Sequence, residues 1–155
     1  MKRKISFVLV AFLILLGSAI SDISSAVQPN TPAPKKTQVS ITVPFAFTGG
    51  TFPNFTFEGP FTITGAIEAS GTAVMDATVN INFMVYHCIW TLTDANGTIT
   101  LHEQCEMGST PVKGRWEIVS GTGDYTNLKG NGSALMPDRG DGLNWELLTG
   151  VIFSK

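Results

Sequence analysis

Both histidines and both cysteines of this chain fall between positions 87 and 106, with two glutamates among them: His87, Cys88, His102, Glu103, Cys105 and Glu106. Between them lies Asp94-Ala95-Asn96-Gly97. Asn-Gly is a strong hairpin signal, because both residues tolerate the positive φ angles of a type I′ turn. With Asn96 and Gly97 as the loop, Ala95 faces Thr98 and Cys88 faces Cys105. The pair falls on a non-hydrogen-bonded position, where Cα atoms are ~4.5 Å apart, within reach of a disulfide. The spacing therefore predicts a Cys88–Cys105 disulfide, with two reduced core thiols as the alternative. Two cysteines alone do not complete a tetrahedral metal set, so no metal site is expected.

The same register sorts the side chains by face. Met84, Tyr86, Cys88, Trp90, Leu92, Ile99, Leu101, Cys105 and Met107 share a mostly apolar face that should point inward. Phe83, Val85, His87, Ile89, Thr91, Thr93, Thr100, His102, Gln104 and Glu106 share the other. His87 then pairs with Glu106, and no third ligand accompanies the two histidines. Glu103 is the polar exception on the inner wall, opposite Trp90 and near Tyr86. An acid on an apolar wall has its charged form disfavoured, which suits an acid catalyst or a hydrogen-bond donor to a ligand. The plainer alternatives are a carboxylate at a barrel mouth or one paired with Arg115. No Gly-x-Ser-x-Gly nucleophile elbow is present, and Asp124, Asp138 and Asp141 lack calcium-loop spacing.

These residues are carried by strands. Val39, Ile41, Val43, Phe45 and Phe47 alternate with polar residues, as do Phe61, Ile63 and Ile67, and Ala73 through Ile81, a period of two. From Met84 onward the apolar parity changes, which predicts a bulge or sharp bend. Further strands are expected at 98–107, 114–119, 132–136 and 143–153, separated by glycine-rich turns. About seven or eight short strands and almost no helix indicate an all-β fold, a single antiparallel barrel.

Before the barrel, Lys2, Arg3 and Lys4 precede an apolar run from Ile5 to Leu16, and Ser24-Ser25-Ala26 supplies small residues. This is the pattern of a cleavable signal peptide over 1–26, too short an apolar run for a spanning helix. A proline-rich linker over 27–38 follows, then the barrel domain over 39–155. The protein is expected to be secreted or periplasmic, an oxidising setting, without a membrane anchor after cleavage. A net charge of -2 and the lack of any basic stripe exclude a nucleic-acid footprint. Arg139-Gly140-Asp141 reads as a turn. The sequence leaves oligomerisation open.

The segment Gly114-Arg115-Trp116-Glu117-Ile118-Val119-Ser120-Gly121-Thr122-Gly123-Asp124-Tyr125-Thr126-Asn127-Leu128-Lys129-Gly130-Asn131-Gly132 resembles the allene oxide cyclase-like, or dirigent-like, barrel group. The closing Leu148-Thr149-Gly150-Val151-Ile152 is similar to the last strand of such barrels. The resemblance implies an eight-stranded barrel with an apolar cavity and no cofactor; no active-site residues carry over. Read physically, Trp116 and Ile118 share one face, and Tyr125 and Leu128 can cap a barrel end. A phosphate cradle is excluded, since Thr126 stands where G-x-G-x-x-G needs glycine and no helix follows. The leading expectation is therefore a barrel binding a small lipophilic molecule, with Tyr86, Trp90, Leu92 and Leu101 lining its cavity. A cofactor-free cyclase or isomerase using Glu103 and Tyr86, and a cell-envelope module, are the alternatives. Binding stands first because no acid–base pair is recognisable.

Overall fold

Alternating apolar and polar residues place every second side chain on one face of a strand, so each run can bury one face and wet the other. In the computed structural model, which describes residues 35–140 and 144–154, this alternation closes on itself. The expected signal peptide lies outside the described residues. Eight antiparallel strands form a closed barrel in chain order: β1 (Thr37–Thr51), β2 (Asn54–Gly65), β3 (Ala69–Asn80), β4 (Val85–Asp94), β5 (Gly97–Glu106), β6 (Val112–Gly121), β7 (Leu128–Met136) and β8 (Asn144–Ser154). Pairing of β1 with both β2 and β8 closes the sheet and leaves no edge strand. Among the described residues a single short 3-10 helix, Gly123–Tyr125, precedes β7. The first strand begins at Thr37, two residues inside the expected linker.

The inward residues fill the barrel. Val43, Trp90, Leu92, Leu101 and Leu148 are fully buried, with Ile41, Ile63, Met75 and Ile99 around them. Trp116 and Ile118 are buried from β6, and Trp116 donates from Nε1 to the carbonyls of Ser133 and Thr149 at 3.1 and 3.3 Å. Its ring lies over Gly150, where a Cβ would come within 2.8 Å of it. Tyr125 closes the end reached by the β4–β5 turn, its hydroxyl donating to Asp94 at 2.6 Å.

Two expectations about the hairpins are corrected. The β4–β5 loop is Ala95-Asn96, with Asp94 opposite Gly97. Asp94 Oδ1 accepts the amides of Asn96 at 2.8 Å and Gly97 at 3.1 Å, which fixes the turn one residue earlier than Asn-Gly alone suggests. Gly97 instead packs against the β6–β7 connection, where a Cβ would stand 2.2 Å from the Thr122 carbonyl oxygen. Every cross-strand partner moves by two residues, so faces are kept and partners change. Cys88 is opposite Glu103 and Cys105 is opposite Tyr86. The predicted Cys88–Cys105 disulfide is thereby overturned: both are buried free thiols, on diagonal positions of the ladder. Likewise, the parity change near Met84 is a four-residue turn, 81–84, between two strands. The register irregularities lie elsewhere, between Phe47 and Gly49 on β1 and between Thr100 and Leu101 on β5.

Candidate functional site

The interior is apolar except for two acids. Glu103 on β5 and Glu146 on β8 are both 0% exposed, and no other charged side chain is buried among the described residues. Glu103 points inward as its parity predicts, but neither plainer alternative holds. It does not reach the mouth, and Arg115 is an exposed neighbour of Gln104 on the outer face. Its Oε2 accepts the indole N–H of Trp90 at 2.6 Å, and its Oε1 accepts the Cys105 thiol at 2.8 Å. Trp90 is therefore a hydrogen-bond partner, although its place opposite Glu103 is taken by Cys88.

Sequence reasoning missed Glu146. It lies opposite Val43, and neither of its oxygens makes a hydrogen bond of normal geometry. Burial pushes its carboxyl up to about 10, and the neighbouring Glu103 pushes the same way. Glu103 is itself raised by burial, and the thiol of Cys105, the indole of Trp90 and the Glu146 carboxyl draw it back down. The two acids therefore form one proton-holding pair at neutral pH, with Glu146 protonated. Burial also raises both cysteine thiols, helped by the two acids, so neither is a ready nucleophile. The signal for Glu146 was weak because both parities of β8 carry apolar residues, Trp145, Leu147 and Val151 on one and Leu148 and Ile152 on the other.

One depression opens into the barrel end. Phe45, Phe55, Phe57, Met75, Ala77, Tyr86, Cys88, Val112, Met136 and Asn144 line a mostly apolar cavity of about 230 Å³. Phe45 packs edge-on to Phe57, with centroids 5.6 Å apart, and to Trp90 at 5.7 Å, which floors the cavity with the Trp90 layer. Ala77, Cys88 and Glu103 follow one another as cross-strand partners, and Glu146 is two residues along β8 from Asn144. The acid pair thus lies just beneath the cavity wall. Of the side chains expected to line it, Tyr86 does so, whereas Trp90, Leu92 and Leu101 belong to the packed core beneath it.

The histidines face outward and away from this site. His87 lies opposite Gln104 and stacks on His102 at 6.2 Å between ring centroids, and His102 Nδ1 stands 3.7 Å from Glu117. The expected His87–Glu106 pair does not form, since Glu106 faces Val85. Among the described residues no three metal-ligating side chains gather.

Residues 53–145 match the family described as "Protein of unknown function (DUF3224)". The chain belongs to that family. No curated protein matches it. The structure is similar to that of the pterocarpan synthase dirigent protein GePTS1, at 14% identity and a TM-score of 0.53, over 86% of this chain and 99% of that one. The likeness is one of fold: this DUF3224 chain and the dirigent protein share the barrel.

Proposed function

We propose that this DUF3224 barrel binds a small lipophilic molecule at the open end of its interior. The observation that carries the reading is the aromatic-walled cavity of about 230 Å³ over the Trp90 layer. Ligand sites are concave and mostly apolar with a few placed polar groups, and commonly ~300–1,000 Å³ in volume. This one therefore takes a small ligand, or one end of a larger one. Membership of the allene oxide cyclase-like group, and export to the periplasm or beyond, belong to the same proposal. They rest on the Gly114–Gly132 segment and on the charged, apolar and small-residue order of positions 2–26.

A cofactor-free isomerase is the second reading, favoured by the Glu103–Glu146 pair. An acid held protonated at neutral pH is suited to deliver a proton to a ligand oxygen. The pair lies beneath the wall rather than on it, so binding stands first.

The test uses the neutral fluorophore N-phenyl-1-naphthylamine in lipid-free buffer. The wild type should bind it with a change in tryptophan emission, and Ala77→Phe, which fills the cavity, should weaken binding at least roughly tenfold. Equal binding by both proteins would remove the cavity from the account. Turnover of a lipid epoxide by the wild type, lost in Glu146→Leu, would move the isomerase reading to first place.

A further inference from the structure

The mouth of the cavity is ringed by connections of unusual composition. Residues 52–53, 81–84 and 107–111 join β1 to β2, β3 to β4 and β5 to β6, and none of them is charged. Among them Phe52 is 61% exposed, Ile81 57%, Phe83 76% and Met84 53%. A large apolar side chain left in water in a tight turn gains nothing for folding, and a cluster of them marks a contact surface.

The three connections are tied into one arc. The Val79 amide, at the end of β3, donates to the Pro53 carbonyl at 2.8 Å, and the Met107 amide donates to the Met84 carbonyl at 2.8 Å. Met84 itself adopts a left-handed φ of 53°, a conformation that disfavours a side chain. The turn is thus held in place with Phe83 standing outward. Charge at this end stands on the flanking strand ends, Glu106 and Lys113 on either side of the 107–111 connection, and beyond β7, where Asp138 and Arg139 follow and the Arg139 guanidinium lies 4.1 Å over the Trp145 ring. The connections at the opposite end carry Glu68 and Asp124.

We propose that this arc seats the cavity mouth on the surface of a lipid bilayer, at the boundary of headgroups and acyl chains, so that a lipophilic ligand passes between membrane and barrel without crossing water. Three observations select a bilayer over a protein partner. With ~200 Å² for a fully exposed phenylalanine, the four side chains offer on the order of 500 Å². A standard protein interface takes about 800 Å² from each partner. The side chains stand on turns, as separate protrusions that enter a fluid layer more readily than they match a flat surface. The arc has no charge, so it complements the uncharged acyl region and needs no anionic headgroup. Among the described residues no helix is long and apolar enough to cross a membrane.

The experiment is flotation of the full-length protein with vesicles of dioleoylphosphatidylcholine, a neutral lipid. The wild type should float with them, and binding should persist at high salt. The double variant Phe52→Ser/Phe83→Ser should lose roughly tenfold or more in partitioning, since its apolar contact area is cut. In a Phe83→Trp variant, lipids brominated near the glycerol end of the acyl chain should quench the added tryptophan. Both variants should bind N-phenyl-1-naphthylamine in lipid-free buffer like the wild type, which separates failure of the lip from failure of the cavity. Equal flotation of wild type and double variant would assign binding to the apolar run at 5–16, present in both, and would overturn the proposal. So would absent flotation, or self-association that the double variant abolishes.

Discussion

The indole N–H of Trp90 donates to Glu103 at 2.6 Å inside a barrel whose other contacts are almost all apolar. A buried polar group is tolerable when its partner is present and costly when it is not. Glu103 meets that condition through Trp90 and Cys105, whereas Glu146 has only the Glu103 carboxyl and the Leu135 backbone near it and makes no well-formed bond to either. The two acids, similar in burial, therefore have opposite expected responses to the same substitution.

Glu103→Leu should destabilise the fold by about 1–3 kcal/mol, because it strands a buried indole N–H. Glu146→Leu should stabilise it by about 1–2 kcal/mol, because a poorly satisfied buried acid gives way to an apolar side chain of similar size. Urea unfolding of the two variants checks the pair of signs. Equal destabilisation by both would mean that the Glu103–Glu146 contact outweighs the burial of the second acid.

Stability should fall as pH rises. The unfolded chain releases the Glu146 proton near the ordinary 4.5, whereas the folded barrel keeps it up to about 10. The folded state then binds more protons across that window, so stability is fully present below about 4.5 and is lost as pH rises toward 10, by at most ~1.4 kcal/mol per unit for one proton. The raised Glu103 acts in the same direction. Asp94, lowered first by the Tyr125 hydroxyl, works oppositely: its contribution is present above the ordinary carboxylate range and lost in acid. The urea midpoint should drop from about pH 5 to about pH 9, and Glu146→Leu should flatten the trend. A midpoint that climbs over this range would contradict the buried pair.

Both thiols should be free yet protected. Alkylation of the unfolded protein without reductant should label Cys88 and Cys105, while the folded protein reacts slowly because burial raises both thiols. Mass spectrometry counts the labels. An unlabelled unfolded chain would restore the bond that the register removes.

Gly97→Ala should be destabilising, on the order of 2 kcal/mol, since the backbone is at φ 146 and the new methyl would meet the Thr122 oxygen. Thermal unfolding reads the loss. An unchanged midpoint would show that the two connections are not packed together.

The period-two alternation made most strands and their inward faces legible, from Val39 through Phe45 and again from Cys88 through Leu92, because one buried face leaves a repeating mark. The Asn-Gly signal misled at one point. A carboxylate one residue before the loop, Asp94, outcompeted it for the turn, and a shift of one residue in the loop moved every partner by two. Glu103 was visible because it interrupts an otherwise apolar face. Glu146 was not, since β8 is apolar on both parities and only its pairing with β1 reveals which way the acid points. The β2 segment 54–60 was hidden by Gly59 and Pro60, residues that read as a break. Gly59 instead lets β1 approach, where a Cβ would collide with the Pro44 carbonyl oxygen.

The solid filling from the Trp90 layer to Tyr125 makes the barrel a cup rather than a tube. Nothing can thread through it, so whatever enters must leave by the same opening, and filling and emptying cannot overlap in time. If the barrel holds a ligand as proposed, residence would be governed at its brim: Phe52, Phe83 and Met84 would set how often it is emptied, while Phe45, Phe57 and Tyr86 would set what it holds.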